Sequence, residues 1–207
     1  MSNNTQRIFA VAPIIFLLAI ASPGQPGSNF QLIARHDIVF HGREFPSSTF
    51  PQVNKAQNAL TFSGSRIHIV ALAGPEEAMF SYRIAGLTNP TLRVPVGARI
   101  HLTVVNIDDD MFHDLVISLP HRYFPVHPEI PPQAVRTHPL PARHDETFQA
   151  EVLVIQALRP GSFDYFCSIP GHAKGGMHGR LEVLQDARVK SHSGASHRLT
   201  KEGEIHE

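Results

Sequence analysis

Tryptophan is absent from the 207 residues, and cysteine occurs once. A single thiol excludes an internal disulfide and a zinc site built from several thiolates. Charge imbalance is also missing, since 18 lysines and arginines meet 18 aspartates and glutamates. Nothing in that balance marks nucleic acid or an anionic membrane as a partner. The apolar run near the N-terminus, Ile8 to Ala21, has 14 residues. That falls short of the roughly 20 needed to span a bilayer as a helix. The chain is nevertheless long enough to bury a core without covalent staples.

Histidine and proline are plentiful, with 14 and 17 copies. The first stretch, "MSNNTQRIFAVAPIIFLLAIASPGQPGS", carries Arg7, the apolar run and a small-x-small pattern at Ala19 and Ala21. This is the plan of a secretory signal peptide over residues 1–21, which predicts a periplasmic or secreted protein. An uncleaved N-terminus would instead anchor the chain to a membrane. A free thiol outside the reducing cytosol is at risk unless something occupies it.

Residues 22–60 read as a proline-rich and polar N-terminal extension, with one apolar stretch, "FQLIARHDIVF", and one weakly helical stretch, "PQVNKAQNAL". From residue 61 the texture changes. Short runs of valine, isoleucine and phenylalanine predict strands near 65–73, 78–85, 90–95, 98–106, 113–118, 148–156, 161–167 and 179–184. Alternation sets Ile100, Leu102 and Val104 on one face, Phe163, Tyr165 and Cys167 on another, and Leu181 with Val183 on a third. About eight short strands with few helices predict an all-β Greek-key sandwich over 61–185. Residues 118–147 hold seven prolines and four histidines, and read as one long loop. Residues 186–207 are polar and aperiodic, the pattern of a disordered tail.

The chemistry concentrates in "FDYFCSIPGHAKGGMHGRLEV". Cys167 closes a predicted strand, His172 follows Pro170-Gly171, and Met177 follows Gly175-Gly176. Glycine allows the tight bends that return the chain to one point. A thiolate, an imidazole and a thioether together suit copper better than magnesium, calcium or manganese. A buried cysteine alone is more often a small hydrophobe, but the C-x4-H-x4-M spacing reverses that balance. A trigonal site needs a second imidazole. His113, opening the strand after "DDDMF", is the candidate; His101, His121, His127, His138 and His144 are its rivals. The run Asp108–Asp110 lacks the later ligands of a calcium loop and reads as an acidic turn.

The loop "CSIPGHAKGGM" resembles the copper loop of cupredoxins, and within them the rusticyanin and sulfocyanin group. "TFSGSRIHIVAL", "NPTLRVPVGARIHLTVVN" and the following F-H pair resemble that group in the same order, so the likeness covers roughly residues 50–185. The resemblance implies one type 1 copper ion held by His113, Cys167, His172 and Met177. It also implies an electron-transfer protein, not an enzyme, that exchanges single electrons with a cytochrome or a terminal oxidase and takes no small-molecule substrate. Two positions depart from the group: Asp114 stands where rusticyanin has serine, and His178 where it has an aromatic residue. The alternative is a copper chaperone or a cupredoxin-like module of a copper oxidase system. The H-x-H pairs and H-C-H run of multicopper enzymes do not occur.

Phe112, Phe166 and Ile169 are expected to keep water from the metal. The Asp114 backbone N–H is expected to reach the Cys167 sulfur. The edge of His172, ringed by Pro170 and Ala173, is the expected electron port.

Overall fold

The computed structural model describes residues 30–42 and 44–185. The proposed signal peptide, the start of the extension and the tail from 186 onward lie outside these residues. Among the described residues, no helix is long and apolar enough to cross a membrane.

Among the described residues, thirteen strands form two sheets. In chain order they are β1 (Phe30–His41), β2 (Gln52–Asn54), β3 (Ala59–Thr61), β4 (Arg66–Ala73), β5 (Tyr82–Ile84), β6 (Leu87–Thr88) and β7 (Thr91–Pro95). Then follow β8 (Arg99–Asn106), β9 (Val116–Ser118), β10 (Val135–Arg136), β11 (Thr147–Ala157), β12 (Gly161–Phe166) and β13 (His178–Leu184). One sheet runs β1-β11-β8-β4-β5-β6, and the other β10-β9-β12-β13-β7-β3-β2. This is the predicted all-β Greek-key sandwich. Each of the eight expected runs contains a strand.

The expected faces are observed. Ile100, Leu102 and Val104 look inward from β8, and Phe163 and Tyr165 look inward from β12, all buried. Leu181 and Val183 join them from β13. Each such side chain taken fully from water contributes about 1.5–3 kcal/mol before entropy is counted. Alternation does not report strand direction, and three pairings are parallel: β4 with β8, β7 with β13, and β3 with β7.

The stretch read as an extension supplies strands to both sheets. "FQLIARHDIVF" forms most of β1 and pairs along β11 from Phe30↔Ala157 to His41↔Thr147. "PQVNKAQNAL" is not helical; it forms the β2–β3 hairpin. Its glutamines, alanines and lysine favour helix intrinsically. Asn54 overrides them by accepting the Gln57 N–H at 3.1 Å, and Asn58 takes a positive φ of 46° to turn the chain.

The proline-rich segment 118–147 is not one loop: its residues 124–134 pack on the outer face of the second sheet, and Val135–Arg136 then pair with β9 as β10. On that outer face Phe124, Ile130 and Ala134 pack on Val116, Phe166 and Ala173. Parallel pairing of β4 with β8 brings Ala73 level with Asn106. The turns that follow both strands therefore leave at one pole, where β12 delivers Cys167.

Candidate metal centre

The residues after β8 form a turn held by side chains. Asn106 donates from Nδ2 to the carbonyls of Met111, Leu140 and Pro141 at 2.8–2.9 Å. Its Oδ1 accepts the Asp108 N–H at 3.0 Å. Asp108 Oδ1 in turn accepts the amides of Asp110 and Met111 at 3.0 and 3.1 Å. The acidic run is thus the turn that the sequence suggested. His113 emerges from it in a two-way backbone exchange with Leu140.

Asp108 has a second task that sequence reasoning missed. Its Oδ2 lies 3.0 Å from His113 Nε2, with both side chains buried. Burial opposes the charged carboxylate, but hydrogen bonds from His113, Asp110 and Met111 outweigh it and lower the Asp108 pKa. A hydrogen on Nε2 directs the free lone pair to Nδ1. The pair fits only because residue 74 lacks a side chain. A Cβ on Gly74 would stand 2.5 Å from His113 Nε2 and 2.6 Å from Asp108 Cβ, and Gly74 also holds φ +70°. No spacing rule links residues 74, 108 and 113.

The second contributor is the loop after β12, closed by backbone. Cys167 N–H donates to Met177 C=O at 3.1 Å, and Met177 N–H donates to His172 C=O at 3.0 Å. Gly171 and Gly176 supply positive φ, and Asn89 Nδ2 donates to the Gly176 carbonyl at 2.9 Å. Phe80 lies over His172 with ring centroids 4.9 Å apart.

These two segments converge. Cys167 Sγ lies 3.9 Å from His113 Nδ1 and 3.5 Å from His172 Nδ1, and the two Nδ1 atoms are 3.2 Å apart. All three residues are buried, and their ligand atoms form one potential metal-holding group. Met177 is wholly buried and belongs to the same core cluster as Cys167. Four of the five rivals of His113 are engaged elsewhere: His101 stacks on His68, His121 on Phe124, His138 bonds Glu151 and His144 pairs with Asp145, while His127 is exposed and outside the cluster. Asp37, His138 and Glu151 also cluster, but Arg35 Nε lies 2.9 Å from Glu151 and neutralises it.

Electrostatics prepare the pole for a cation. Burial pushes the Cys167 thiol well above its usual range, and the Asp114 carboxylate adds to this. The backbone N–H groups of Asp114 and Ile169 pull the other way by bonding the sulfur, as expected for Asp114. Burial lowers the pKa of His113 and His172, so both imidazoles favour the neutral, ligating form. Asp114 is itself buried, and its Oδ1 accepts the Ser168 N–H at 2.6 Å while Oδ2 accepts the Ser168 hydroxyl. Tyr82, also buried, donates its hydroxyl to the Asp114 carbonyl.

The expected water shield is rearranged. Phe112 is 52% exposed and cannot act as a lid. Phe166 is buried, but alternation turns it away from Cys167 into the cluster under the proline-rich segment. Ile169, partly buried, packs on the core cluster that holds Cys167 and Met177. Phe80, from the turn before β5, takes the covering position over His172.

No family model matches the chain. Rusticyanin from Acidithiobacillus ferrooxidans is 32% identical over 127 residues, covering 61% of this chain and 81% of that one. Rusticyanin from Acidithiobacillus ferridurans is also 32% identical over 127 residues, 67% of its length. A 1.27 Å structure of rusticyanin from Thiobacillus ferrooxidans matches with TM-score 0.60 at 31% identity, covering 65% of this chain and 86% of that one. A 2.1 Å structure described as the copper protein rusticyanin matches equally, with TM-score 0.60 at 31% identity, covering 65% and 87%. With the sandwich and the buried His-Cys-His convergence, these likenesses show that the chain belongs to the rusticyanin family of cupredoxins.

Proposed function

We propose that His113, Cys167, His172 and Met177 hold one copper ion and that the protein carries single electrons between redox proteins outside the cytoplasm. The observation that carries this reading is the approach of Cys167 Sγ and two imidazole Nδ1 atoms to within 3.2–3.9 Å of one another in a buried pole. A thiolate with two imidazoles and a nearby thioether is the donor set of a blue-copper site. Copper bound there would supply a reversible one-electron couple.

The chain's own residues do the rest. Burial makes the Cys167 thiolate costly unless a cation offsets it, so the pole favours a loaded state. Asp108 fixes the tautomer and orientation of His113. The backbone closure between Cys167, His172 and Met177 fixes the other donors. Such a preset frame limits movement when charge changes. His172 is 6% exposed whereas His113 is fully covered, so His172 is the route for electrons to the surface. Phe80 and the half-exposed Met79 beside it give that exit an apolar rim for brief contact with a partner.

A cytochrome or a terminal oxidase is the proposed partner, and the periplasm or the exterior the proposed location. The signal-like segment 1–21 supports the location. Titrating purified protein with Cu(II) tests the function. An intense visible copper–thiolate band that bleaches on addition of one electron per copper is the expected result. The band should be absent from Cys167→Ala. A colourless complex, or a band that survives in that variant, rejects the reading, and a complex that cannot be reduced and reoxidised points to copper delivery.

A further inference from the structure

Beside the metal pole, on the outer face of the second sheet, lies a cleft of about 250 Å³. Three separate segments line it with cationic side chains: Arg122 from the proline-rich segment, Lys174 from the loop after β12, and Arg180 from β13. None of the three has an ion pair among the described residues. Arg93 and Arg143, by contrast, each face a carboxylate, at 2.9 Å from Glu182 and 3.2 Å from Asp109. Asp164 is the one carboxylate lining the cleft. It is buried and already accepts the His121 N–H at 2.6 Å, with His121 Nδ1 at 3.4 Å.

The wall between these cations is built from packed rings. Phe124 is sandwiched between His121 and His178, with centroids 4.8 and 4.5 Å apart and rings within about 32° of parallel. Phe166 supports it from below at 5.1 Å. The cleft thus combines a built aromatic wall with three permanent positive charges and one committed negative one. A cation would be repelled there, and a neutral apolar ligand would leave the guanidinium and ammonium groups unused. Guanidinium groups match the geometry of oxyanions, and an ammonium adds a point charge.

We propose that this cleft binds a tetrahedral oxyanion of the phosphate or sulfate class. The site uses none of the four proposed copper ligands, so its test stands apart from the copper reading. It extends the metal pole sideways into a second recognition surface, where an anion would sit against the loop that carries His172 and Met177.

Calorimetry and amide chemical shifts on the full-length protein, titrated with inorganic phosphate and with sulfate at fixed ionic strength, decide it. The expected result is saturable binding with shifts centred on residues 121–124 and 173–180, and no such response to chloride. Lys174 and Arg180 are both exposed, so their glutamine variants should fold normally, as thermal unfolding will verify. Lys174→Gln and Arg180→Gln are each expected to weaken binding about tenfold, the scale of one lost charge-assisted hydrogen bond. Together they should abolish it, while Lys55→Gln in the β2–β3 turn changes nothing. A response no greater than that to chloride, or one that persists in the double variant, overturns the proposal.

Discussion

The turn after β8 and the loop after β12 deliver one imidazole each to the same point, and they are built on opposite principles. The first is held by buried side chains: Asn106 ties three carbonyls, and Asp108 ties two amides and the His113 ring. The second is held by main chain, with glycines at its bends and backbone bonds joining Cys167, His172 and Met177. His113 is fully covered and has a carboxylate behind it; His172 is slightly exposed and has the Phe80 ring over it. A side-chain lattice gives a fixed anchor. A backbone loop gives a donor that reaches the surface. An electron carrier needs one of each, since the site must stay rigid yet open at one edge.

Glycine substitutions offer the sharpest way to break this contrast. Gly74 and Gly171 both hold positive φ, at 70° and 86°. An added Cβ at Gly171 meets nothing within 4 Å, whereas at Gly74 it meets the His113–Asp108 pair at 2.5–2.7 Å. Gly171→Ala should cost only the left-handed strain of about 1–2 kcal/mol. Gly74→Ala should cost more, by about 1–3 kcal/mol of overpacking, and should also displace His113. Urea unfolding of the metal-free proteins and copper titration of both variants measure the difference. Equal losses would show that the side-chain lattice yields as easily as the loop.

A smaller effect separates the two imidazoles by their backing. Asp108→Ala leaves His113 Nε2 and the Asp110 and Met111 amides without their acceptor. Copper affinity is expected to fall about 10–100-fold, the usual range for loss of a partner behind a metal-bound histidine. Asp108→Asn keeps one acceptor oxygen, enough for the two amides or for His113 Nε2–H but not for both, so it should recover stability more than copper affinity. Phe80→Ala, on the other imidazole, removes packing but no hydrogen bond, and affinity should hold. Competition against a chelator of known strength ranks the three.

The same contrast explains what could be read from the amino acids alone. The backbone-built loop was legible because its donors stand close in the chain and its bends require glycine and proline. The core faces of β8, β12 and β13 were legible because their inward residues recur at every second position, even where the other face is also covered, as at Val105 and Phe166. The side-chain lattice was hidden: Gly74 and Asp108 stand 34 positions apart and meet only because β4 runs parallel to β8. Phe80 reaches His172 across a still longer separation. Phe112 looked like a lid because it precedes a ligand candidate, but turn geometry, which no periodicity records, points it to solvent. β1 carries no clear period-two signal because its mixed residues suit an edge strand, half covered along much of its length.

Asp114 joins the two regions and allows the finest test. It follows His113 at the end of the side-chain lattice, and its carboxylate clamps the backbone and hydroxyl of Ser168, which opens the loop. Charge and tether are therefore combined in one residue. The negative charge near Cys167 should favour the more oxidised metal and hold the midpoint potential down. Asp114→Asn removes the charge but keeps an oxygen for the Ser168 N–H and offers an amide to its hydroxyl. The potential is expected to rise by tens of millivolts, on the order of one screened charge at close range, with stability little changed. Asp114→Ala also removes the charge but cuts the tether and leaves the part-buried Ser168 N–H without its acceptor, at a cost of about 1 kcal/mol. Redox titration and unfolding of both variants separate the contributions. If Asp114→Asn leaves the potential unchanged or lowers it, the carboxylate acts as a clamp between anchor and loop and not as a tuning charge.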